Sequence, residues 1–227
     1  MFGPKARLQL TYQHTKNKFD RLGRYSGTVE NLLANEYARQ FASEYVADIK
    51  AQLGVSDDEP AEPSDELADL RDTFPTLFRG SVLPFIHAAF DVAVRDMGNL
   101  LVVPAIAVNE PLNSMIVELT KRLSALGWSN EVQKQIQDYK HLRDACAHSL
   151  GSVSRSLYDP KRVRKAAERT KGVRFSGFGI TAPGLHPKLA HVGFVELDET
   201  FVPAALQFHQ DRVRELKDSL EAVLPSR

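Results

Sequence analysis

Arg143 and His148 bracket the stretch Arg143-Asp144-Ala145-Cys146-Ala147-His148, late in an amphipathic helical segment. Arginine is a permanent cation whose planar fork pairs with phosphate. Histidine titrates near neutral pH, with a reference pKa of ~6.5. Metal-free cleavage of a ribose phosphodiester needs one group to move a proton at the 2′-OH or the leaving oxygen. It needs a second group to stabilise charge building on the phosphorus oxygens. The pair supplies one of each.

The spacing is awkward for a self-contained site. Residues five apart on a regular helix differ by about 140° and rise ~7.5 Å. Arginine's length can bring its guanidinium round. Two copies of the helix facing each other would each add one Arg and one His. A row of His141, Asp144 and His148 invites a metal, but the two histidines lie ~10.5 Å apart along the axis. A zinc–nitrogen bond is only about 2 Å, so no metal site is expected. Asp144 has two readings: a salt bridge to Lys140 or Arg143, or an orienter for His148. Ser149 either caps the helix or bonds phosphate.

An earlier helical segment offers a polar row at His87, Asp91 and Arg95, spaced four apart on an apolar helix. A carboxylate beside a buried face needs a partner. Arg95 is the local partner for Asp91 and Arg143 the more interesting one, with Asp91 then supporting the guanidinium. His87 and Arg95 are weaker lining candidates. Cys146 reads as a buried apolar filler. The strongest cationic patch is the segment Lys161, Arg162, Arg164, Lys165, Arg169 and Lys171, with Arg155 and Arg174 nearby. Arg155, Lys161, Arg162, Arg164 and Lys165 are the RNA-backbone candidates. Phe175, Phe178 and Phe194 can stack bases, although core packing is the plainer reading. No Walker loop, GxGxxG, HExxH or paired CxxC is present.

The 227 residues carry 29 Lys plus Arg against 29 Asp plus Glu, so net charge does not announce a nucleic-acid binder. Hydrophobic residues make up 43%, enough for a packed core. A lone cysteine excludes an intramolecular disulfide and fits a reducing cytoplasm. The N-terminus has no apolar signal core. The longest apolar run, residues 100–108, is too short to span a bilayer and contains Pro104. No membrane partner and no cofactor are expected.

These residues must be positioned by helices. Residues 1–25 read as a basic, poorly periodic arm. A long helix follows from Ser26 or Thr28 to Gly54, with Val29, Leu33, Tyr37, Phe41, Tyr45, Ile49 and Leu53 as one stripe. Residues 55–66 read as an acidic loop, with caps for a short helix at Ser64 and Asp65. Further helices are expected over 79–97, with Pro84 near its start, then 111–126 and 129–148. Asp159-Pro160 opens a basic helix over 160–171. Two alternating segments, 173–181 and 189–197, form a β-hairpin within the stretch 173–197. A last helix covers 201–223. The reading is a basic arm followed by one mostly α domain over residues 26–227.

The stretch 143–148 resembles the R-x4-6-H motif of the HEPN superfamily. The apolar helix interrupted by Asp91 and the order of elements are also similar to that family. The resemblance implies a HEPN-like helical bundle and a metal-independent endoribonuclease of toxin or antiviral-defence type. It implies a homodimer acting on RNA, an antitoxin or regulatory protein as a further partner, and 2′,3′-cyclic phosphate ends. Arg143 would stabilise the phosphorane and His148 would act as base or acid. Leu150 departs from the family: toxins paired with nucleotidyltransferase antitoxins carry tyrosine there, so silencing at that residue is not implied. Some family members bind RNA or nucleotides without cutting, or only dimerise.

Overall fold

A computed structural model describes residues 2–45, 69–101, 111–149, 159–178 and 192–225. Helix α1 spans Pro4–Tyr45. A single π-helical turn, Asp69–Thr73, leads into α2, Phe74–Gly98, which ends in a 3-10 turn at Asn99–Leu101. Helices α3 (Leu112–Arg122), α4 (Asn130–Ser149) and α5 (Pro160–Arg169) follow. Strands β1 (Val173–Phe178) and β2 (Val192–Leu197) precede α6, Phe201–Val223. The protein is mostly α-helical with one small antiparallel hairpin near the C-terminus, as the patterning predicts.

Helix α2 is the centre of the bundle and packs on α1, α4 and α6. Its apolar face (Val82, Leu83, Ile86, Phe90, Ala93, Val94 and Met97) is at most 2% exposed. By length and composition the segment Asp69–Leu101 is apolar enough to cross a membrane, yet half of its apolar window is buried inside the protein. Helix α4 lies between α2 and α5. The turn before α4 closes on Gly127 at φ +54, a left-handed conformation that favours glycine. Trp128 beside it is buried and donates its indole N–H to Glu215 of α6 at 2.9 Å.

Residues 4–25 are not an arm: they are the first half of α1. Leu8, Tyr12, Thr15, Phe19, Leu22 and Ser26 recur every three or four residues and turn inward, with Leu8 and Phe19 at 1% exposure. Three polar members of that row, Tyr12, Thr15 and Ser26, hide the helical period among the lysines and arginines. The expected stripe further along α1 is shallower than its composition suggests. Val29, Leu33 and Tyr37 are half-buried and Phe41 is exposed. The rest of that stripe, the acidic loop over 55–66 and the caps at Ser64 and Asp65 fall outside the described residues.

Helix α2 begins five residues before the expected start, so Pro84 sits inside it. Proline has no N–H, and the Gly80 carbonyl therefore loses its usual donor four residues on. The hairpin pairs Phe175 with Val195 and Ser176 with Phe194. Val195 and Leu197 face the core, whereas Phe194 lies on the outer face at 53% exposure. Gly172, at φ +76, makes the turn into β1; a Cβ there would fall 2.6 Å from the Phe201 nitrogen.

Candidate functional site: the seam between α2 and α4

Two close approaches set the register of α2 on α4. A Cβ built on Gly80 would lie 3.4 Å from Cys146 Cβ and Sγ, so glycine lets the two helices meet there. Two turns along α2, His87 feels the charges of Arg143 and Lys140. Numbers rise on α2 as they fall on α4, so the helices run antiparallel. The seam passes from Gly80/Cys146 to His87/Arg143.

Arg143 is the central cation of this seam. Its side chain is 31% exposed and forms an ion pair with Asp144, Nη2 to Oδ1 2.6 Å. Its Nε–H is buried with no hydrogen-bond partner among the described residues. Asp144 is 4% exposed, which makes Arg143 the partner that offsets its burial. Lys140, one turn earlier, is half-buried and has no ion pair among the described residues. The backbones of His148 and Ser149 belong to the last turn of α4. The side chains of both, and all of Arg155, lie outside the described residues.

His87 is 4% exposed and its Nδ1 has no hydrogen-bond partner among the described residues. Burial pushes its pKa down to about 3, helped by His209, Arg143 and Lys140. It is a neutral imidazole held beneath two cations. His209 of α6 is wholly buried; its Nδ1 bonds the Ala205 carbonyl at 2.7 Å and its Nε2 has no partner among the described residues. Burial lowers its pKa to about 4. Sequence reasoning missed His209. Its place on the inner face of α6, four residues after Ala205 and four before Val213, was the available signal.

Asp91 does not support Arg143. Its Oδ1 accepts from Arg95 Nε at 2.7 Å, one turn along the same helix. The i, i+4 geometry makes that the nearest cation on its own helix, and no ion pair between Asp91 and Arg143 occurs among the described residues. Cys146 is the expected filler: burial pushes its thiol up to about 12. His141, on the flank of α4 nearest α5, is lowered by burial first and then by Lys140 and Arg162, against the opposing pull of Asp138 and Asp144. No cluster of three or more His, Cys, Asp or Glu able to hold a metal occurs among the described residues.

The basic helix α5 divides into structural and free cations. Asp159 caps it, accepting from the Lys161 N–H at 3.0 Å. Arg169 makes a two-pronged bond to buried Asp138 of α4, at 2.8 and 2.5 Å, and so docks α5 on the motif helix. Arg164 pairs with Glu168 at 2.9 Å, and Arg162 approaches Asp159 at 3.6 Å. Lys161 and Lys165 are exposed and carry no ion pair among the described residues.

At the other end of the seam lies a groove of about 300 Å³ between the first half of α2, the end of α4 and β2. Thr76, Ser81, Pro84 and Phe85 form one wall, and Cys146 and Ala147 of the motif form another. Ala147 stands one turn beyond Arg143, on the same face of α4. The geometry thus sets an apolar hollow one helical turn from a part-exposed guanidinium, a combination suited to a ligand with a planar apolar part and an anionic part. No family model, no curated protein and no solved structure matches this chain.

Proposed function

We propose that this chain is a metal-independent endoribonuclease of toxin or antiviral-defence type, HEPN-like, acting on RNA as a cytoplasmic homodimer. The observation that carries the reading is Arg143: part-exposed, with a buried Nε–H left unpaired, on the helix whose last turn bears His148. In this reaction the ribose 2′ oxygen bonds phosphorus as its proton passes to a histidine. The bond from phosphorus to the 5′ oxygen breaks, and that oxygen departs with a proton from a second acid. A 2′,3′-cyclic phosphate and a 5′-hydroxyl remain. Arg143 stabilises charge on the non-bridging oxygens while phosphorus is five-coordinate. His148 is the base or the acid, and two copies of the helix supply both roles. Lys161 and Lys165 guide the RNA backbone.

The test is cleavage of RNA in EDTA by wild type, Arg143→Ala and His148→Ala. Cleavage by wild type alone is the expected result; equal cutting by all three, or none by wild type, removes the reading. The Arg143–Asp144 ion pair favours a second reading, a non-catalytic module that binds RNA or nucleotides or only dimerises. That module would bind or dimerise in the same assay without cutting.

A further inference from the structure

The groove beside the motif has features that a packing defect would lack. It is concave, about 300 Å³, at the lower end of the roughly 300–1,000 Å³ range typical of ligand pockets. Phe85 stands on its wall at 64% exposure, an apolar ring left in water. Thr76 and Ser81 bring hydroxyls, and Ser81 already donates to the Phe78 carbonyl at 2.7 Å, which leaves its oxygen free to accept. Gly80 lines the same wall, and Pro84 removes the helical donor its carbonyl would otherwise meet. Arg143, its side chain 31% exposed, stands one turn along α4 from Ala147, and Lys140 about two turns. A ring surface, acceptors and an adjoining cationic edge match a base joined to a phosphate.

We propose that this groove is a nucleobase subsite: it takes one unpaired base of single-stranded RNA, stacked on Phe85, with the base's own phosphate directed to Arg143. The proposal deepens the ribonuclease reading, since it takes RNA as the ligand, and it makes Phe85 the stacking surface and Ser81 a specificity-determining residue. Stacking on an aromatic ring tolerates any base. Discrimination comes from the acceptors, which favour a base presenting an exocyclic amine over one presenting only carbonyls.

The experiment measures binding of the four 2′-deoxynucleoside 3′-monophosphates, which cannot be cleaved, to the full chain. Wild type, Phe85→Ala and Ser81→Phe are compared; both positions are exposed, so the fold tolerates the changes. The expected result is preferential binding of amine-bearing bases, weakened about tenfold by Phe85→Ala and abolished when Ser81→Phe fills the groove. The proposal is overturned if wild type does not discriminate among bases, or if both variants bind as wild type does. It is equally overturned if Phe85→Ala shifts only the monomer–dimer balance, because the groove is then a contact between copies. Selective binding without RNA cleavage would keep the subsite and remove the nuclease. Cleavage that depends on Arg143 and His148, with monophosphate binding unchanged by Phe85→Ala and by Ser81→Phe, would do the reverse.

Discussion

His87 of α2 and His209 of α6 meet edge to face, ring centroids 5.9 Å apart and planes at 88°, inside the core. Phe90 and Tyr139 pack on His209 from α2 and α4, and Lys140 and Arg143 bring positive charge to His87. Neither imidazole has a carboxylate partner among the described residues, and burial keeps both as neutral rings.

Acid should therefore unfold this protein. Both histidines have folded pKa values below the ordinary one, about 3 for His87 and about 4 for His209. Above pH ~6.5 both are neutral in the folded and unfolded chains, and their contribution is fully present. As pH falls below that value, the unfolded chain takes up protons and the folded one does not, so stability falls until the folded values are reached. The loss is about 2 kcal/mol per histidine between pH 7 and pH 5. Urea melts at the two pH values measure it. His209→Phe should flatten the dependence by about half; an unchanged slope would show that other groups set the acid limit.

Arg143 has a structural bond to Asp144 and a proposed catalytic one to phosphate, and the two separate by substitution. Arg143→Ala should lower RNA cleavage by about 10²–10³. It should also cost about 1–3 kcal/mol, because Asp144 is left buried without its cation. Adding Asp144→Asn should restore stability without restoring cleavage. Recovery of both together would mean that Arg143 acts only through the fold.

The thiol of Cys146, pushed up to about 12 by burial, should be inert. At pH 8 its thiolate is scarcer than that of a free cysteine by about 10³-fold. Iodoacetamide labelling of the native chain should be slower by about that factor and become rapid in urea. Rapid native labelling would mean that the groove opens to Cys146 more widely than the static packing at Gly80 allows.

The helices were legible wherever apolar period and punctuation agreed. Asp159-Pro160 marked the start of α5, and the 201–223 pattern fixed α6. Helix α1 was misread at its start because Thr15 and Ser26 occupy inward positions, and period-based reading weighs them as polar. Pro84 was misread because a proline inside a helix is rarer than one at its first turn. In the site, the burial of Cys146 followed from its small neighbours. The partner of Asp91 and the role of His209 did not, since both depend on helix rotations that local spacing leaves free. The groove was illegible for the same reason: Gly80, Phe85, Ala147 and Val195 meet only after α2, α4 and β2 have packed.

Helix α5 carries cations of two kinds, and they should respond to substitution in opposite ways. Arg169 is spent on Asp138, which is 5% exposed. Arg169→Ala strands that carboxylate and should cost about 2–4 kcal/mol. Lys161 and Lys165 touch no carboxylate among the described residues, so replacing both with alanine should leave the melting temperature unchanged. If RNA lies along this face, the double variant should flatten the dependence of log affinity on log salt by about 0.7 for each lysine lost. The affinity of wild type and variant for a 2′-deoxy-substituted RNA strand, measured from 50 to 300 mM KCl, reads both numbers. An unchanged slope would place the RNA path away from α5 and leave Lys140 and Arg143 as the cations that must meet the backbone.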